Sequence, residues 1–315
     1  LFPAHFHLMD IDAEGGLLGA VSGIRREMIL RDHASETERD LSWLDWPTPR
    51  ILSRDGCFVL FEEGNETSPE GYAIYLRKTD GSPPQRLAFG SILALAPDGS
   101  RVAVLTSLFR GTPRIDLVPI GAGQTETVGF GDLRPPGEQG AWLPGRGPGQ
   151  PETLILASRR GDEPLRLYSI PLDGTTPAPL TPVDLPLSPA GHLVNADGSR
   201  ILANPAAGPA VLIDVATGRV DAAPGLDEDD LPLGWAEGGR HVFVQAERTV
   251  PSPIYRVDLQ SGERESWVDL APPDPAGIFK VDRVQLSADG MVQVYSTRRT
   301  LSGLIIIEGL VGPAR

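Results

Sequence analysis

A tight Asp-Gly turn between short apolar runs recurs along this chain, and it constrains the fold more than any other feature. The fullest copy lies between Asp40 and Gly81. An apolar run leads to Ser53-Arg54-Asp55-Gly56, and a second run follows at Cys57-Phe-Val-Leu-Phe61. After a polar loop from Glu62 to Glu70, a third run occupies Tyr72-Ala-Ile-Tyr-Leu76. A second turn, Thr79-Asp80-Gly81-Ser82, leads to a weaker fourth run at Gln85 to Leu87. Glycine tolerates the positive φ that such turns require, so Asp-Gly between apolar runs signals a hairpin. Four short antiparallel strands in succession make one small sheet that cannot cover its own faces, whereas a ring of such sheets can.

The first turn recurs at Asp98-Gly99, Asp197-Gly198, Gly238-Gly239 and Asp289-Gly290, with degenerate copies at Glu14-Gly15-Gly16 and near Pro144-Gly145. The second recurs at Asp173-Gly174, Thr217-Gly218, Ser261-Gly262 and, loosely, Gly121-Ala-Gly123. Gly56 and Gly99 are 43 residues apart, Gly198 and Gly239 are 41 apart, and Gly239 and Gly290 are 51 apart. A period in the forties with four strands per unit predicts an all-β propeller of four-stranded antiparallel blades. About seven units are expected, with six possible, over 1–45, 46–90, 91–137, 138–185, 186–229, 230–279 and 280–310. The last unit lacks a fourth strand. The start of the chain offers little to lend it, so ring closure is the weak point. The opening reads as mid-blade, so the 315 residues are expected to be a piece of a longer chain or a processed product.

The 31 Pro and 36 Gly suit a fold with many turns. A net charge of −14 argues against nucleic acid or an anionic membrane as partner, since both reward a positive surface. No run approaches the roughly 20 apolar residues of a membrane span, so direct membrane insertion is not expected. The single cysteine, Cys57, reads as a small core residue at the start of a strand.

The alternation of apolar strand, Ser/Ala-x-Asp-Gly turn and apolar strand resembles the TolB-type, WD-like propeller repeats of bacteria. Asp40-Leu-Ser-Trp-Leu-Asp-Trp46, Tyr75-Leu-Arg-Lys-Thr-Asp-Gly-Ser82, Ala94-Leu-Ala-Pro-Asp-Gly99, Leu270-Ala-Pro-Pro-Asp-Pro-Ala-Gly277 and Tyr295-Ser-Thr-Arg-Arg-Thr-Leu-Ser302 narrow the resemblance. They look like the C-terminal propeller region of bacterial serine/threonine protein kinases. The resemblance implies a sensing or docking module behind a kinase domain. It implies an extracytoplasmic location if the parent is anchored in a membrane, and a cytoplasmic one otherwise.

No kinase chemistry is expected of the chain itself, which has no Gly-x-Gly-x-x-Gly strand-turn, Val-Ala-x-Lys, His-Arg-Asp or Asp-Phe-Gly. The glycines at Gly145, Gly147 and Gly149 lack a following Gly-Lys-Ser/Thr and read as a loop. The Gly-x-Ser-x-Gly elbow of a propeller-bearing peptidase is also missing. No cofactor is expected. His5 and His7 share a strand face but have no clear third metal ligand. The acidic run Asp227-Glu-Asp-Asp230 lacks an EF-hand pattern.

The candidate binding residues are Trp43, Trp46, Trp142, Trp235, Arg298 and Arg299. The tryptophans lie near inner-strand starts, where they pack between blades or form a ligand shelf at the channel mouth. Trp43 and Trp46 are expected to staple two neighbouring units, one indole in each. Arg298-Arg299, like Arg25-Arg26, either grips an acidic peptide or pairs with surplus carboxylates. The leading reading is a non-catalytic module that binds a protein, peptide or small ligand at the channel mouth or top loops. The alternative is a lactonase- or lyase-type propeller enzyme, for which Asp10, Asp45 and Asp282 are the available carboxylates.

Overall fold

The computed structural model describes residues 5–12, 16–35, 37–135, 140–145, 151–182, 187–236 and 238–307. The chain opens with β1 (His5–Ile11), β2 (Leu17–Asp32) and β3 (Thr37–Asp40). The first blade comprises β4 (Pro47–Leu52), β5 (Phe58–Ser68), β6 (Gly71–Lys78) and the first half of β7 (Gln85–Leu95). The second half of β7 begins the second blade, with β8 (Arg101–Thr106), β9 (Arg114–Pro119) and β10 (Glu126–Val128). The third holds β11 (Gly140–Leu143), β12 (Thr153–Ser158), β13 (Arg166–Pro171) and β14 (Ala178–Pro179). The fourth holds β15 (Leu187–Val194), β16 (Arg200–Pro205), β17 (Val211–Asp214) and β18 (Val220–Ala222). The fifth holds β19 (Leu231–Trp235), β20 (His241–Gln245), β21 (Ser252–Asp258) and β22 (Arg264–Leu270). The last two strands are β23 (Ile278–Leu286) and β24 (Val292–Ile307).

The two ends of the chain share one blade. β24 pairs antiparallel with β2 from Leu17↔Ile307 to Asp32↔Val292, and the sheet runs β23, β24, β2, β3. The last unit is short of outer strands, as its sequence suggests, and the beginning of the chain supplies both. The expected first and seventh units are therefore halves of one closing blade. This gives six four-stranded groups among the described residues, the lower of the two counts the sequence allowed. The start was expected to lend little, but its Glu27-Met-Ile-Leu30 stretch carries apolar side chains on both faces. Met28 and Leu30 pack with Leu52, Val59 and Phe61 of the first blade, and Ile29 packs with Phe243 and Val268 of the fifth.

Burial follows the ring. One apolar cluster lies at each junction between neighbouring blades, including the one between the closing blade and the first. An open row of six sheets would have only five such junctions. Every central strand thus buries both faces, which is why runs such as Val102-Ala-Val-Leu105 are apolar without alternation.

The turns form as expected. Gly56, Gly99, Gly198, Gly239 and Gly290 all take φ between 67° and 73°, and each donates its N–H to the carbonyl three residues back. Asp55, Asp98, Asp197 and Asp289 each accept the N–H two residues on, at 2.8–3.0 Å. These are Asx-turns, and the carboxylate locks the hairpin. The Glu14-Gly15 copy lies outside the described residues. Cys57, expected in the core, is exposed. It stands in the turn, before β5 begins at Phe58, so burial of that strand does not reach it. Its thiol is pushed up, chiefly by its hydrogen bond with Asp55.

Beyond the ring, β1, the first half of β2 and the second half of β24 continue as a three-stranded sheet. Its register puts Phe6, Leu8, Ile11, Leu301 and Ile305 on one face, all exposed. The strands that close the ring thus also project from it.

Two outcomes follow for stability. Met28→Ala, in the ring half of β2, should cost about 2–5 kcal/mol. Ile24→Ser, in the projecting half, should stay within about 0.5 kcal/mol of the parent. Denaturant titration decides, and equal effects would reject the closing role of β2. Serine and backbone donors hold Asp55, Asp98 and Asp289 below the usual aspartate range. A carboxylate with a depressed pKa stabilises the fold above its unfolded pKa, and that contribution disappears as pH falls through the folded value. The unfolding midpoint should therefore fall below about pH 4, and less steeply in the triple Asp→Asn variant.

Candidate functional site

The inner strands β4, β7, β11, β15, β19 and β23 touch in turn, and β23 returns to β4. They surround a channel with a cavity of about 1280 Å³. Its wall is chemically divided. On the β11 and β15 side it presents Ala141, Leu143, Leu193 and Val194. Across the ring, on β23, β4 and the adjoining segments, it presents Arg50, Arg248, Lys280, Arg283 and Arg298 around Asp282.

Strand register builds the cationic side. Lys280 lies opposite Arg298, and Arg298 lies opposite Arg26, so three cations form a row across β23, β24 and β2. Like charges directly opposite one another destabilise a sheet. One carboxylate oxygen answers all three. Asp282 Oδ2 is 2.8 Å from Arg298 Nη2 and 3.8 Å from both Lys280 Nζ and Arg26 Nη2. Asp282 Oδ1 accepts from Ser296 Oγ at 2.7 Å. Arg26 is buried, donates to Thr48 Oγ1 and lies 5.0 Å from the centre of the Trp46 ring. Burial lowers its pKa to about 10; Asp282 opposes this fall, while Arg298, Arg283 and Arg50 add to it. Three guanidiniums acting against a fourth mark a region of positive potential inside an acidic protein.

Two further features shape this wall. The β23 register shifts between Asp282 and Gln285, and Arg283 there has φ of 55°. A bulge re-aims the side chains around it. Arg248, on the loop after β20, accepts the Val281 N–H at its carbonyl, which sets it beside the cation row. It is exposed and, among the described residues, has no ion-pair partner. Arg50 is already compensated, since Glu62 Oε2 lies 2.6 Å from its Nη2. Glu62 Oε1 also takes Ser91 Oγ and the Ile92 N–H, tying the first blade to the second.

The expected residues divide between scaffold and channel. Trp142 is buried between the second and third blades, and Arg101 lies over its ring at 5.2 Å. Trp235 packs between the fourth and fifth and donates to the Leu193 carbonyl at 3.2 Å. Trp267, which the sequence reading missed, does the same at the next junction. It lies 5.3 Å from Phe243 and donates to the Gly290 carbonyl at 3.0 Å. Its place on the outer strand β22, away from the inner-strand starts, gave no such signal.

Stapling by the Trp43 and Trp46 pair is only half realised. Trp46 sits between Arg26 of the closing blade and Gly64 of the first, where a Cβ on Gly64 would meet the indole at 2.6 Å. Trp43 is 46% exposed and belongs to neither apolar cluster, although it hydrogen-bonds the Tyr75 hydroxyl of the first blade. It stands in the loop between β3 and β4, so no strand periodicity turns it inward.

Arg299 serves the scaffold, bound to Glu27 at 3.3 Å and Asp274 at 3.1 Å. Arg298 faces the channel, and Arg25 lies opposite Arg299. Of the three carboxylates proposed for channel chemistry, Asp282 lines the channel. Asp10 is on the projecting sheet and Asp45 is not on the channel wall. Asp227 and Asp230 are held by Arg264, at 3.1 and 2.7 Å. No group of three or more His, Cys, Asp or Glu among the described residues could hold a metal ion, and the His5 side chain, Gly147 and Gly149 lie outside them.

Trp46→Ala should destabilise the protein by about 2–3 kcal/mol, below the cost for a fully buried indole because Trp46 is half-buried. Trp43→Ala should shift thermal denaturation little. Equal shifts for both would show that the pair works as the single staple read from the sequence.

No family model matches the chain, and no curated protein matches it. Solved structures do resemble it. A putative TolB from Agrobacterium tumefaciens aligns with TM-score 0.60 and 18% identity, over 89% of this chain and 99% of that one. TolB from Acinetobacter baumannii aligns with TM-score 0.51 and 16% identity, over 87% of this chain and 63% of that one. A chain of a nidogen/laminin complex aligns with TM-score 0.53 and 17% identity, over 78% and 94%. At these identities the likeness shows the fold, and the fold is a β-propeller.

Proposed function

We propose that this chain is a non-catalytic binding module that takes a protein segment, peptide or small ligand at the mouth of its channel. The divided channel wall carries this reading. Ring closure requires apolar contacts between blades, but it does not require three cations in a row beside one carboxylate. A concave site with an apolar wall and a few convergent polar groups is the usual form of a binding pocket. The complex of nidogen with laminin, in which a chain of similar fold takes part, is consistent with a partner-binding role. We further propose that the module belongs to a bacterial serine/threonine protein kinase, on the strength of the motifs around Trp43, Asp80, Asp98 and Thr300. A membrane-anchored parent would place it outside the cytoplasm, and any other parent within it.

Selection from a displayed peptide library tests the binding role. Leu231 lines the channel and belongs to none of the inter-blade clusters, so Leu231→Trp narrows the channel without opening a core. Selected peptides should bind the parent protein and lose about tenfold or more in affinity for Leu231→Trp. Equal binding to both proteins would place the site elsewhere. The complete coding sequence tests the kinase context, where His-Arg-Asp and Asp-Phe-Gly should lie upstream.

A further inference from the structure

We infer that the channel selects an organic anion, a carboxylate carried on an apolar body, and that Arg248, Lys280, Arg283 and Arg298 receive the charged end. The inference rests on the binding reading above and names the chemistry of its ligand.

Three observations converge on it. The first is charge. The chain as a whole is strongly acidic, yet this stretch of channel wall carries Arg248, Lys280, Arg283 and Arg298 around Asp282. The second is register. Lys280, Arg298 and Arg26 are cross-strand neighbours that share one carboxylate oxygen. A second anion beside Asp282 would relieve the repulsion that this row builds in. Arg26 and Arg298 each keep a buried Nε without a hydrogen-bond partner, so donor capacity in the row is not exhausted. The third is backbone. Arg283 stands at a bulge with positive φ, a conformation strained for an L-residue. Such strain collects at binding sites, where it aims a side chain.

The rest of the ligand follows from the opposite wall. Ala141, Leu143, Leu193 and Val194 offer no charge and few polar atoms, and they suit an aliphatic or aromatic body. The planar fork of arginine matches the two oxygens of a carboxylate. Asp282 competes for Lys280 and Arg298, whereas Asp55 and Asp98 are engaged in their own turns.

The test uses 2-naphthoate, followed by its fluorescence polarisation, with 2-naphthamide as the neutral isostere. Naphthoate should bind about tenfold or more tightly than the amide, and its affinity should fall as salt rises from about 50 to about 500 mM. Arg248→Gln should weaken naphthoate about fivefold and Arg248→Glu more, while leaving naphthamide unchanged. Arg248 is exposed and, among the described residues, makes no ion pair, so these substitutions open no core. Lys280→Gln, partly exposed, is the second variant and should act in the same direction.

Equal affinity for the two probes, or Arg248→Glu binding naphthoate as well as the parent does, would overturn the inference. If both probes bind equally and both are lost in Leu231→Trp, the channel is a binding site without anion selectivity, and only the inference fails. If neither probe binds, the inference fails as well, and peptide selection decides the wider reading independently.

Discussion

The antiparallel pairing of β2 with β24 is the constraint on which the rest of the structure depends. A blade has two apolar faces, and a terminal blade in an open row would leave one of them in water. Burying a single Leu or Ile side chain is worth about 1.5–3 kcal/mol, so an uncovered face would cost many times that. Joining β23 and β24 to β2 and β3 completes the sixth blade and creates two junctions at once. Met28 and Val294 serve one junction, and Ile29 and Tyr295 serve the other. The pairing spans nearly the whole chain, from Leu17 to Ile307. Non-local pairing of this kind is slow, because loop entropy is lost before contacts form.

The closing blade is also where the channel gains its charge. Its strands come from opposite ends of the sequence, and their registry brings Arg25-Arg26 against Arg298-Arg299. The strand period of two sorts the four residues. Arg25 and Arg299 point to one face, where Glu27 and Asp274 neutralise Arg299. Arg26 and Arg298 point to the other, where Asp282 is shared with Lys280. One face is thus scaffold, and the other contributes to the channel. The same two strands then run past the ring and carry the exposed apolar sheet of Phe6, Leu8, Leu301 and Ile305.

Much of the fold is legible in the residues because hairpin turns are local chemistry. An aspartate that accepts the N–H two residues on and a glycine with positive φ need no tertiary partner, so Asp55-Gly56, Asp98-Gly99 and Asp289-Gly290 can be read directly. Cys57 was misplaced because burial begins one residue later, at a strand boundary that composition does not mark. Trp43 was misplaced because strand periodicity was extended into a loop. Of the six named candidates, Trp142 and Trp235 pack between blades, with Trp142 also lining the channel, Trp46 lies against Arg26, and Arg299 pairs with Glu27 and Asp274. Arg298 alone both faces the channel and lies in the cation row.

The all-β class, the four-stranded unit and the Asp-Gly turns at Gly56, Gly99, Gly198 and Gly290 could be read from the residues, because these arise from contacts between residues a few places apart. That the first and last units are one blade emerges from long-range strand pairing. The tertiary structure also decided that four arginines from opposite ends of the chain oppose one another, and that Asp282 serves several cations. Registry between strands some 270 residues apart is set by the burial of Met28, Ile29, Val294 and Tyr295 against neighbouring blades. That information exists only once those blades are in place.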